Sequence, residues 1–250
     1  MPTKTKSPLK YRIRGIFYYV TVALGAIVIA PIYGFFFCKA FKDAKKLNRI
    51  AGHFFKPIFH CFGIHLTVKG SENIPKNGGF VILANHQSFL DINVIFAGIY
   101  ASAFLAKSDL WRIPLFGRAL DLNGSIPIYK AGSRKNGEVG FRMKQNMNKG
   151  FTYTIFPEGR RSVTGELLPF KDGAFHLAKD YHFTILPITI INAGKVLPKT
   201  ETALIPGNVE IIVHKPITPK DYETISKEEL KENVRKTILS ALEAGKAKEA

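Results

Sequence analysis

The chain has 250 residues, 46% of them apolar, which excludes a disordered or fibrous protein and allows one substantial core with an appendage. Its formal charge of +17 at pH 7 points to an anionic partner: nucleic acid, an acidic membrane surface or a phosphorylated small molecule. The two cysteines, Cys38 and Cys61, form no C-x-x-C or zinc-type Cys/His spacing, which argues against a disulfide framework or a metal centre.

About half of the excess charge lies in the first fifth of the chain, where ten Lys and Arg face one acid, Asp43. Within that stretch Ile16 to Phe37 carries no charge for 22 residues. As a helix it would be roughly 33 Å long, about one hydrocarbon thickness. Both flanks are basic (Lys10, Arg12 and Arg14 before, Lys39, Lys42, Lys45 and Lys46 after). A spanning helix is usually basic on one side only, so this symmetry predicts that both ends face one leaflet. Pro31, with Gly25 and Gly34 around it, suits a kink or a returning dip. No small-x-small cleavage site follows, which disfavours a signal peptide. Residues 39–62 read as an amphipathic stretch with Leu47, Ile50, Phe54, Ile58 and Phe62 on one face. The expected organisation is a basic, apolar membrane-association region over 1–62 and an α/β domain over 63–250.

From His65 onward, strands are predicted at 65–69, 80–84, 103–106, 125–128, 151–156, 184–190 and 208–213. Helices are predicted at 88–99, 108–119, 134–149, 173–181 and 226–244, the last opening on the capping pattern Ser226-x-x-Glu229. The alternation predicts a mixed, partly parallel sheet covered by helices.

In such folds ligands bind beyond the carboxyl ends of strands. Asn85-His86 follows the second predicted strand, Lys107 the third, Tyr129-Lys130 the fourth, and Pro157-Glu158-Gly159-Arg160-Arg161 the fifth. Parallel strands would collect a histidine, a carboxylate and several cations on one rim. His86, with an ordinary pKa near 6.5, suits general-base work, and a carboxylate on one ring nitrogen would hold its tautomer. Asp91 stands one helical turn on. Ser88-x-x-Asp91 also fits a capping box, in which Asp91 serves only the backbone. No G-x-S-x-G elbow supplies a serine nucleophile, so a His/Asp pair implies direct attack by an activated substrate hydroxyl.

His86 and Asp91 match the His, four residues, Asp signature of the glycerophospholipid acyltransferase family, which this chain resembles. Gly124-Ser125-Ile126-Pro127-Ile128 resembles the family's second block, Phe156 to Ser162 its third, and Leu186-Pro187-Ile188 its fourth, all in order over about residues 65–215. Arg160 stands where Thr is usual, and Lys130 where Arg commonly ends the second block. The resemblance implies that His86 and Asp91 are catalytic, and that Lys107, Lys130, Glu158, Gly159, Arg160 and Arg161 surround a substrate phosphate, with no metal. It implies transfer of a fatty-acyl group from acyl-coenzyme A or acyl carrier protein to the sn-2 hydroxyl of 1-acylglycerol-3-phosphate (lysophosphatidic acid). The product is phosphatidic acid, and the place the cytoplasmic face of the inner membrane, whose anionic lipid is a further partner. No bound cofactor is expected.

Ser125 and the backbone at Gly124 are candidates for the thioester oxyanion, and Trp111, Leu115 and Phe116 for an acyl groove or for core. Alternatives are acylation of glycerol-3-phosphate or another lysolipid, or a non-catalytic binder of anionic lipid. No nucleic-acid module is recognisable, and His53, His60, His65, His176, His182 and His214 form no metal cluster.

Overall fold

The structure, a computed structural model, describes residues 6–25, 54–76, 78–99, 102–113, 116–130 and 132–248. Seven strands form one sheet: β1 Ile64–Lys69, β2 Val81–Ala84, β3 Ala103–Lys107, β4 Ile126–Ile128, β5 Tyr153–Ile155, β6 Ile185–Ile191 and β7 Gly207–Val213. Their order is β1-β7-β6-β2-β5-β3-β4, and only the β6/β7 pairing is antiparallel. Strands β2 to β6 therefore share one direction, while β1 and β7 run the other way. The sheet is mixed and covered by helices, as the alternation predicts.

β2 and β6 are buried at every position, as central parallel strands with both faces covered should be. Alternate β2 residues feed two cores. Ile82 and Ala84 join Leu186, Ile188, Val209 and Ile211 beneath helix Leu90–Gly98. Val81 and Leu83 join Tyr153, Met143, Phe175, Val234 and Ile238 beneath helices Val139–Asn148, Gly173–Tyr181 and Lys227–Ala247. Ser226 caps the last of these by accepting from Glu229 N, 3.0 Å. Two predicted helices are shorter than expected. Residues 108–119 divide into a 3₁₀ turn Ser108–Arg112 and a helix Phe116–Leu122, with Pro114 between them in sequence. Residues 134–149 begin as a 3₁₀ turn, Arg134–Glu138, that includes Gly137.

The amino-terminal helix Leu9–Leu24, called α1, is joined to the main core. Tyr18 is fully buried and accepts a hydrogen bond from Asn93 Nδ2, 2.7 Å, while Val22, Phe55, Ile58 and Phe59 enter the first core. Gly15 lets α1 lie directly on the 202–204 backbone, since a β-carbon there would come within 1.5 Å of Thr202 O. Residues 54–61 form a helix antiparallel to α1, with Phe54 against Gly25 at one end and Arg14 against Gly63 at the other. The expected boundary between 62 and 63 thus marks a change in composition, while the described parts on both sides of it share a core. Most of the apolar run and of the amphipathic stretch, residues 26–53, lies outside the described residues. Among those described, no helix is long and apolar enough to cross a membrane.

Candidate active site

β2 ends at Ala84, and Asn85 clamps it to β6, donating to Ile190 O (2.8 Å) and accepting from Ile190 N (2.7 Å). This fixed point projects His86 from the carboxyl edge of the sheet. Ser88 Oγ accepts from Leu90 N (3.0 Å) and donates to Leu197 O (2.7 Å), starting the helix that carries Asp91 in its first turn. One atom then serves both readings of Asp91. Its Oδ2 lies 2.8 Å from His86 Nδ1 and also accepts from Gln87 N (2.7 Å) and Ser88 N (2.9 Å). Capping and ring orientation are thus one interaction set.

The carboxylate side chain is 1% exposed and the imidazole 16%, so the pair has a buried end and an open end. Phe156 stacks on the imidazole, centroids 3.9 Å apart and planes 13° from parallel, which fixes the plane of the ring. With Nδ1–H donated to Asp91, the lone pair at Nε2 is the group available to take a proton.

The third block grips the same loop. His86 N donates to Glu158 Oε1 (2.7 Å), His86 O accepts from Ser162 N (2.7 Å), and Glu158 Oε2 accepts from Leu168 N (2.8 Å). Glu158 is buried, which pushes its carboxyl up to about 7, while the backbone N–H groups of Leu168 and His86 oppose that rise. Both its oxygens serve the protein backbone. The expectation that Glu158 lines a phosphate is therefore corrected: it is a strut between two loops. Gly159 takes a left-handed conformation (φ +69°) with the Lys171 side chain where a β-carbon would point.

The predicted cations lie along the rim without converging on one point. Arg160 is exposed and Arg161 half-buried, both following β5, the neighbour of the His86 strand. Lys107 and Lys130 are exposed at the ends of β3 and β4, two and three strands from β2, hence about 10 and 14 Å along the edge. None of the four makes an ion pair among the described residues.

Ser125 does not reach the rim. It is buried, its Oγ accepts from Phe104 N (3.0 Å), and the pairing sets it level with Ile82, about 13 Å before His86 along the strands. The oxyanion assignment for Ser125 and Gly124 is thereby overturned. Trp111 bonds Asp121 at the surface (Nε1 to Oδ1, 2.7 Å) and Phe116 is half-buried, so neither is core; Leu115 lies outside the described residues.

Two neighbours of the site escaped sequence reasoning. Tyr19 of α1 packs on Phe89 of the His86–Asp91 loop, centroids 5.4 Å apart, and feels the charge of Arg161 against the upward push of its own burial. Lys199 donates to Arg161 O, 2.8 Å. Tyr19 stood within an apolar run that carried no chemical signal.

The site is thus a carboxylate-held histidine with one ring nitrogen open, beside cations that make no ion pair among the described residues, at the edge of an α/β sheet. The chain belongs to the acyltransferase family, whose model, described as Acyltransferase, matches residues 65–191. It is 33% identical to a 1-acyl-sn-glycerol-3-phosphate acyltransferase of Borreliella burgdorferi, over 72% of this chain and 73% of the relative. It is 32% identical to a chloroplastic 1-acyl-sn-glycerol-3-phosphate acyltransferase of Arabidopsis thaliana, over 84% of this chain and 60% of that one. The chain spans about three-fifths of the length of its plant and algal relatives. Among solved structures it superposes on the 1-acyl-sn-glycerophosphate acyltransferase PlsC of Thermotoga maritima with a TM-score of 0.82 and 27% identity, over 96% and 97% of the two chains.

Proposed function

We propose that the protein transfers a fatty-acyl group from an acyl thioester, acyl-coenzyme A or acyl carrier protein, to the sn-2 hydroxyl of 1-acyl-sn-glycerol-3-phosphate, giving phosphatidic acid. The observation that carries this is the 2.8 Å contact between His86 Nδ1 and Asp91 Oδ2 with Nε2 left free. Nε2 takes the acceptor's hydroxyl proton as the oxygen attacks the thioester carbonyl, and Asp91 stabilises the imidazolium that forms. Collapse of the tetrahedral adduct breaks the C–S bond, and the imidazolium returns the proton to the leaving thiolate. Ester and thiol are the products, with no acyl-enzyme.

Arg161, next to the His86 strand and able to form a planar two-point contact, is the principal phosphate ligand in this reading, assisted by Arg160. Lys107 and Lys130 extend the positive edge toward the phosphates of a donor or toward anionic headgroups, and Gly159 lets the loop turn. The enzyme works at the cytoplasmic face of the inner membrane, an assignment supported by the basic flanks of the apolar run Ile16 to Phe37. An assay with purified protein, labelled acyl-coenzyme A or acyl carrier protein, and a panel of lysophosphatidic acid, glycerol-3-phosphate and neutral lysolipids tests the reading. Transfer to lysophosphatidic acid above all others is the expected result; no transfer to any acceptor would leave a lipid-binding protein.

A further inference from the structure

Among the described residues, α1 packs on one side and leaves two others open. Tyr11, Gly15, Tyr18 and Val22 form its packed face, and Tyr19 flanks it toward Phe89 and the catalytic loop. On the opposite flank α1 and the end of helix 54–61 enclose an open groove of about 600 Å³, whose lining includes Lys10, Ile13, Arg14, Phe17, Cys61 and Phe62. At 100° per residue, Arg14 and Tyr19 project from α1 about 140° apart, so the body of the helix stands between this groove and the His86 cleft.

The lining is sorted by chemistry. Ile13, Phe17 and Phe62 supply an apolar wall, and Lys10 and Arg14, one helical turn apart, supply two cations. Neither cation forms an ion pair among the described residues, and the Arg14 guanidinium is set against Gly63, where a β-carbon would come within 3.3 Å of it. The apolar wall continues onto the outer face of α1. There Leu9, Ile13, Ile16, Phe17, Val20 and Leu24 form a stripe of side chains between 45% and 67% exposed. An apolar stripe of that length facing water is unusual, and its natural neighbour is a hydrocarbon layer.

We propose that this groove is a second lipid site, holding one anionic phospholipid drawn from the membrane. The lipid's phosphate sits on Lys10 and Arg14, and one acyl chain runs along Ile13, Phe17 and Phe62. The site is independent of the His86 cleft and of the identity of the acyl acceptor. Charge complementarity selects the anionic lipid: two cations with no acidic partner among the described residues, Lys10 resting over the Tyr11 ring at 4.9 Å, stand beside an apolar wall and match a negative headgroup joined to a chain better than a free anion or a neutral lipid.

Cys61, exposed at the groove, provides the probe. In full-length protein carrying Cys38→Ser, the rate of Cys61 alkylation by a maleimide is followed with monomeric dihexanoyl-phosphatidylglycerol, which is neither the proposed acceptor nor the proposed product. The expected result is a slowing of at least tenfold at saturation. Dihexanoyl-phosphatidylcholine should need at least tenfold more lipid for the same effect, and inorganic phosphate should give none. The protection should persist in His86→Ala and vanish in the Lys10→Gln/Arg14→Gln variant, whose helix content is checked by circular dichroism. Equal protection by both lipids, protection that survives the double substitution or is lost in His86→Ala, protection by phosphate alone, or a Cys61 unreactive from the outset would each overturn the proposal.

Discussion

Asp91 Oδ2 holds His86 Nδ1 at 2.8 Å while the same oxygen accepts from the backbone of Gln87 and Ser88. The carboxylate therefore shapes the loop and orients the imidazole at once, and the two tasks separate only by charge. Asparagine keeps a carbonyl oxygen for the backbone donors but offers a neutral partner to the ring. Asp91→Asn should lower kcat by roughly 10²- to 10⁴-fold, as should His86→Ala, with melting temperatures close to the parent's. Single-turnover acyl transfer with calorimetry checks this; near-normal turnover in both variants would remove the dyad from the chemistry.

Glu158 makes a prediction about pH. Its folded-state pKa, raised to about 7 by burial, lies above its ordinary value of 4.5, so between those values the folded protein holds a proton that the unfolded chain has released. Its contribution is thus fully present below about pH 4.5 and is lost as pH rises toward 7, by at most about 1.4 kcal/mol per pH unit. Glu158→Gln removes this slope. It also lowers stability at every pH, because its amide presents a donor to one of the two backbone N–H groups. Melting temperatures across pH 4.5 to 7.5 should fall more steeply with pH in the parent than in the variant. A parent curve that rises more steeply contradicts the assignment.

If Arg161 is the main phosphate ligand, Arg161→Ala should raise the KM for lysophosphatidic acid about 10- to 100-fold, the scale of a lost hydrogen bond to a charged group. Its kcat should change less, and the KM for the acyl donor should stay near the parent's. An unchanged acceptor KM would move the phosphate elsewhere along the rim.

The contacts of α1 make it part of the cooperative unit. Tyr18→Phe leaves Asn93 Nδ2 buried without its partner and should cost about 1–3 kcal/mol, measured by urea unfolding. Gly15→Ala, which drives a methyl into Thr202 O, should displace the helix and cost more. Removal of residues 1–62 is read by the same measurement: it strips Phe55, Ile58 and Phe59 from the first core and should lower the unfolding midpoint. A truncated chain with the parent's unfolding midpoint would show α1 to be an accessory.

The strands were legible because each is a short apolar run with turn residues at its ends, and each starts and stops within two residues of the expected position. The dyad was legible because five residues bridge a strand end and the first turn of the next helix, a local geometry. What resisted reading was non-local. Glu158 looked like a member of a cation cluster, and only the fold reveals that its oxygens meet the amides of His86 and Leu168. Ser125 was placed at the site by its block, yet the register of β4 against β3 sets it on the wrong level. Tyr19 reaches Phe89 because Gly15 lets α1 come down onto the 202–204 backbone, a fit that spacing along the chain does not encode.

The reversed direction of β1 has a mechanical consequence. Because β1 runs against β2, helix 54–61 and its partner α1 enter the sheet at the edge from which His86 emerges, three strand spacings or about 14 Å away. A β1 of the opposite sense would deliver them to the far edge, a further strand length off. For an acceptor whose tail is rooted in a bilayer this decides the work of reaching the base. Lifting the tail into water costs about 0.8 kcal/mol per methylene, on the order of 10 kcal/mol for a long chain. In the proposed reaction, with α1 seated in the bilayer, a hydroxyl that slides sideways beneath it would avoid that climb, its tail kept in oil.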